Sequence, residues 1–199
     1  MAGEGNIGVK KLLSEIYLIP NLISLFRLLL FIPFLILFNL MNSDFTYRYY
    51  ILALIALAFI SDLLDGFIAR KTNQISELGK IIDPVADKTL MAIIVMNLFL
   101  MEIIPAYYFW IVIMRDVLIF LGGIALSKKI GKVLPSNRLG KITVFSIGLF
   151  IILSLAMDNR DSFIYEAVMN ISLILCFASL IGYVIRALEL LKWKKNETV

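Results

Sequence analysis

A chain of 199 residues that is 61% hydrophobic and 17% charged, with a mean hydropathy of +0.92, is too apolar for a water-soluble domain and reads as an integral membrane protein. One cysteine, Cys176, excludes an intrachain disulfide or a thiolate cluster, and the absence of histidine excludes imidazole bases, Ser-His triads and imidazole zinc sites. Carboxylates remain as the strong metal ligands, and their oxygens favour Mg2+ or Mn2+.

In chain order, residues 7–19, "IGVKKLLSEIYLI", set Val9, Leu12, Leu13, Ile16 and Tyr17 at helical spacing opposite Lys10, Lys11, Ser14 and Glu15, the pattern of an amphipathic helix lying on a membrane surface. No small-residue cleavage site follows, so the segment is expected to be retained. Six apolar runs follow at about 21–41, 47–69, 84–101, 105–126, 141–157 and 162–190, each near the roughly 20 residues that cross about 30 Å of hydrocarbon. The expected fold is all-α and integral to the membrane. An interfacial segment over 1–19 precedes one six-helix membrane domain over 20–199. The last run is too long for one simple crossing and is expected to protrude at its charged end. Among the basic residues outside the helices, only Arg48 and Arg160 fall on the side opposite the N-terminus. That bias puts both termini in the cytoplasm.

The unusual stretch is "SDLLDGFIARKTNQISELGKIIDPVADK", residues 61–88, which gathers five acids in a greasy chain. Charges in or beside a membrane segment are costly unless paired, hydrated or bound, and so mark function. On a helix Asp62, Asp65, Gly66 and Ala69 share a stripe about 100° wide. Close helix packing is a sufficient reason for Gly66 alone, but not for the carboxylates. Pro84 suits the first position of a helix, which would make Asp83 its N-cap and set Asp87 one turn on. If the second and third spans are antiparallel neighbours, four carboxylates converge near the cytoplasmic interface, where a divalent cation or a pair of them would hold them ionised. Glu77 reads as a solvated loop charge.

The full spacing is Asp62-x2-Asp65-Gly66-x2-Ala69-Arg70-x8-Gly79-x3-Asp83-x3-Asp87, eight specified residues over 26 positions. It resembles the motif of the CDP-alcohol phosphotransferase family at every fixed position. The resemblance implies an enzyme that displaces CMP from a CDP-linked lipid or alcohol with a hydroxyl nucleophile and two divalent ions. It implies Asp62, Asp65 and Asp83 as metal ligands, and Asp87 as a ligand or as the base for the acceptor hydroxyl. Asp62, Gly66, Ala69, Arg70 and Gly79 would line the CDP site. It further implies a homodimer, with lipid substrate entering sideways from the bilayer.

The acceptor is read from cations elsewhere. Arg115 in the fourth span, Arg138 and Lys141 at the start of the fifth and Arg186 in the sixth suggest an acceptor that carries phosphate. A local pair of Arg115 with Asp116, and headgroup contacts for Arg138 and Lys141, are the plainer alternatives. The stretches "IPNLISLFRLLLFIPF", "MRDVLIFLGGIAL" and "PSNRLGKITVF" resemble the phosphatidylglycerophosphate synthase branch of the family and the related cardiolipin synthases. Expected substrates are therefore CDP-diacylglycerol and glycerol 3-phosphate. Phosphatidylglycerol or an inositol phosphate is the alternative acceptor, and no nucleic acid is expected as a partner. Asn21 and Arg27, in "PNLISLFR", sit at a similar depth to the motif. Arg27 either snorkels to the interface or supports the CDP pocket. A cation transporter would carry acids along a path between both faces, whereas here they cluster at one end.

Overall fold

The computed structural model describes residues 17–72, 79–130 and 138–197, and every regular element among them is helical. The side chains of Asp65, Ala69, Arg70 and Asp83 lie outside that description, as does nearly all of the expected interfacial helix over 7–19. Among the described residues five stretches are long and apolar enough to cross a membrane: Asn21–Met41, Phe45–Ile68, Ala106–Leu126, Arg138–Ala156 and Phe163–Lys192. Large apolar side chains such as Phe145 (70%) and Phe163 (84%) are exposed, which hydrocarbon tolerates and water does not. The protein is an integral membrane protein.

The chain forms two compact units, residues 1–97 and 98–199. In the first, Pro20 sits in the opening turn of α1 (Ile19–Leu29), where its missing N–H goes unneeded. The run expected to be continuous over 21–41 is broken at Leu30, where ψ is −14°, and resumes as α2 (Phe31–Met41). Pro33 is the cause: it cannot donate to the Leu29 carbonyl and its ring crowds that oxygen. Leu30, Phe34, Phe38 and Met41 form the buried stripe of this arm, which packs on α3 (Arg48–Thr72).

A 3-10 turn, Phe45–Tyr47, joins α2 to α3. Asp44 caps it by accepting the Thr46 N–H at 2.8 Å, which holds its carboxyl below the usual carboxylate value. That contribution is complete above the ordinary pKa and is lost as pH falls through the lowered one. Arg48 lies over the rings of Phe45 and Tyr49 at 4.7 and 4.9 Å, which pins the turn to the helix.

The next helix, α4 (Gly79–Leu100), begins a turn before Pro84. Asp83 is therefore not its N-cap, because a proline this near the start forfeits one hydrogen bond and not the helix. The 22 residues of α4 could reach across a bilayer, but Lys80, Asp83, Asp87 and Lys88 interrupt its first half, so it is not among the five apolar spans.

The second unit consists mainly of α5 (Ala106–Ile130), α6 (Arg138–Ala156) and α7 (Phe163–Glu197), with α7 packed along both partners. Ser162 caps α7, its Oγ accepting the Tyr165 N–H at 3.3 Å. Phe150 packs at tilted angles against Tyr108 and Tyr165, at centroid distances of 4.4 and 5.0 Å, and the Tyr165 hydroxyl donates to the Ile103 carbonyl at 3.1 Å. The Thr143 hydroxyl of α6 lies 3.1 Å from the Leu175 carbonyl of α7, a polar link between apolar helices. At 1.5 Å per residue α7 runs about 50 Å, longer than one crossing needs.

Candidate active site

Along α1, residues 21, 24 and 27 are polar at three-residue steps, and Asn21, Ser24 and Arg27 are all buried. A polar stripe on a membrane helix is buried only where it meets polar partners. Those partners include the family-like carboxylates. Arg27 Nη1 donates to Asp62 Oδ1 of α3 at 2.6 Å, and Arg27 Nε lies 3.0 Å from Asp87 Oδ1 of α4. The second contact is an ion pair whose N–H is not aligned along it. One guanidinium thus holds carboxylates from two helices. It does not snorkel: the Arg27 side chain is 2% exposed, while those of Asp62 and Asp87 are 47% and 49% exposed. The two carboxylates are anchored on their inner side and reachable on the outer.

Of the four expected metal ligands, the structure brings Asp62 and Asp87 together on Arg27. Asp65 lies one turn from Asp62 on α3, and Asp83 one turn before Asp87 on α4. A Cβ built on Gly66 meets no described atom within 4 Å. Ala69 and Arg70 lie in the last turns of α3, and Gly79 opens α4. Among the described residues no three metal-binding side chains cluster. The donor set nevertheless fits a divalent cation: oxygen donors only, on two helices held at one level by Arg27, half open to solvent.

In the second unit, buried Arg115 pairs with Asp116 (Nη1 to Oδ1, 2.5 Å) and donates from Nε to Ser179 Oγ of α7 at 3.1 Å. The local pair that was the plainer alternative is thus present. The guanidinium also borders the start of α6, where a Cβ on Gly140 would lie 3.6 Å from Nη2. Arg138 and Lys141, on either side of Gly140, are exposed, and Arg186 is half-buried.

Sequence patterning misses two features. Ser24 completes a polar stripe that its three-residue step could have revealed. Tyr183 has a buried hydroxyl with no hydrogen-bond partner among the described residues, and its ring lies against Gly122, where an added Cβ would approach Cε1 to 3.0 Å. The Gly122-Gly123 pair is the signal of such a close crossing. Overpacking against the Tyr183 ring costs about 1–3 kcal/mol and the better helix propensity of alanine returns about 1, so Gly122→Ala is expected to destabilise the second unit by up to about 2 kcal/mol, read as a lowered melting temperature in detergent. Tyr183→Leu should relieve most of that loss, and equal costs in both backgrounds would refute the contact.

The described part of the site is polar and half open, with carboxylate oxygens from α3 and α4 gathered on a buried guanidinium of α1. The chain belongs to the CDP-alcohol phosphatidyltransferase family, whose model matches residues 17–179. It is similar to a protein of Aquifex aeolicus named CDP-diacylglycerol–glycerol-3-phosphate 3-phosphatidyltransferase, at 31% identity over 182 residues, 87% of this chain and 97% of that one. A protein of the same name from Rickettsia felis is 30% identical over 72% of this chain and 77% of its own length. A CMP-forming cardiolipin synthase of Rattus norvegicus is 42% identical over 104 residues, 51% of this chain, and the match spans only 32% of that relative.

Proposed function

We propose that the protein transfers a phosphatidyl group from CDP-diacylglycerol to glycerol 3-phosphate, with release of CMP. The observation that carries this is the likeness, over most of both chains, to relatives bearing that name. In this reading the acceptor hydroxyl oxygen attacks the phosphorus of the phosphatidyl group while Asp87 takes its proton. The bond from that phosphorus to the CMP oxygen breaks, and CMP leaves with the electron pair. Mg2+ or Mn2+, as a pair of ions, would be held by Asp62, Asp65, Asp83 and Asp87 and would neutralise the pyrophosphate charge. Asp87 serves as a base only if its carboxylate is held more loosely than the other three, because tight coordination lowers basicity.

Asp62, Gly66, Ala69, Arg70 and Gly79 bind the CDP moiety in this account. Arg115, Arg138, Lys141 and Arg186 bind the acceptor phosphate. The placement of the Arg115 guanidinium beside Gly140, between Arg138 and Lys141 in sequence, supports a shared anion site. The α4 helix makes the third of six crossings, both termini and the active site face the cytoplasm, and the protein acts as a homodimer. Family membership sets aside the cation-transporter reading.

A second acceptor, phosphatidylglycerol, is suggested by the partial match to a cardiolipin synthase. The test is CMP release by purified protein with CDP-diacylglycerol and Mg2+ or Mn2+, offered glycerol 3-phosphate, an inositol phosphate, serine or phosphatidylglycerol in turn. Turnover with glycerol 3-phosphate alone is expected. Turnover only with phosphatidylglycerol would keep the mechanism and move the assignment to cardiolipin synthesis.

A further inference from the structure

We propose that Arg27 is the positioning residue of the aspartate cluster: a buried guanidinium on α1 gathers carboxylates of α3 and α4 into the arrangement that takes up a divalent cation. The proposal rests on Asp62 and Asp87 being metal-site residues. Arg27 is the largest of the fully buried side chains among the described residues, and it reaches carboxylates on two different helices, at 2.6 and 3.0 Å. The buried stripe it shares with Asn21 and Ser24 turns it toward the motif and away from the interface. A planar fork with donors in fixed directions can hold two carboxylates at once, which a lysine ammonium on a flexible stem does poorly. Without that fork, like charges on separate helices repel, and a cation would first have to draw them together.

Plain electrostatics predicts the opposite sign, since a positive charge beside the site repels a cation and its removal would tighten binding. The direction of the change therefore separates positioning from repulsion. The experiment is titration of metal-stripped, purified full-length protein with Mn2+, followed by the electron paramagnetic resonance signal of the free ion. The proteins compared are wild type, Arg27→Met, Arg27→Lys and Asp62→Asn.

Partners that orient metal ligands typically set affinity by about 10–100-fold, so Arg27→Met should weaken Mn2+ binding by that factor, with Arg27→Lys between it and wild type. Unchanged or tighter binding in Arg27→Met, with binding lost in Asp62→Asn, would overturn the role of Arg27 and leave the carboxylates as ligands. A wild type that shows no saturable Mn2+ binding would overturn both. Should Arg27→Met elute as aggregate, Arg27→Lys decides: weaker binding supports positioning, and wild-type affinity refutes it.

Discussion

Replacing Asp87 by asparagine is expected to lower the turnover of CMP release by about 10²–10⁴-fold, the usual contribution of a positioned acid or base, in a protein that still folds. Asparagine keeps the shape of the side chain but can neither take a proton nor carry charge. The fold should survive because the Asp87 side chain is half exposed and Arg27 keeps its 2.6 Å bond to Asp62. The expected pattern is a fall in kcat at saturating metal and both substrates, with melting temperature little changed. Turnover near that of wild type would remove Asp87 from the chemistry and leave it a support for Arg27.

Removal of divalent metal should abolish turnover altogether. The substrate is a pyrophosphate, and the acids that would face it are themselves anionic, so without a cation the site repels what it must bind. Treatment with a chelator is expected to bring CMP release to background, and added Mg2+ or Mn2+ to restore it. Stability should respond far less, because Arg27 already compensates Asp62 and Asp87 in the protein alone. Activity that persisted in chelator would refute the metal role of the aspartates, while a collapse of folding on chelation would show that Arg27 does not hold the cluster together.

The carboxylate motif is legible in the amino-acid sequence because its chemistry constrains spacing along single helices. Ligands one turn apart must sit three or four residues apart, and acids in an apolar chain stand out against a background that excludes them. Helical class and membrane residence are legible for the same reason, since about 20 apolar residues have few alternatives to a span. Helix ends are less so. Pro33 breaks a run that hydropathy shows as continuous, and Pro84 fails to start the helix that its preference suggests. Each outcome depends on whether neighbouring turns can absorb one missing hydrogen bond.

An all-helical membrane protein with four motif aspartates on its second and third apolar runs can be read from the residues alone. Local periodicity and the cost of charge in hydrocarbon leave little else for such a chain to do. The tertiary structure turned Arg27 inward onto Asp62 and Asp87, and it alone paired Tyr183 with Gly122 across 61 positions of sequence. An arginine near the start of a span can reach water or turn inward at similar local cost. What settles the choice is the presence of Asp62 and Asp87, 35 and 60 residues away, at the same level of the fold.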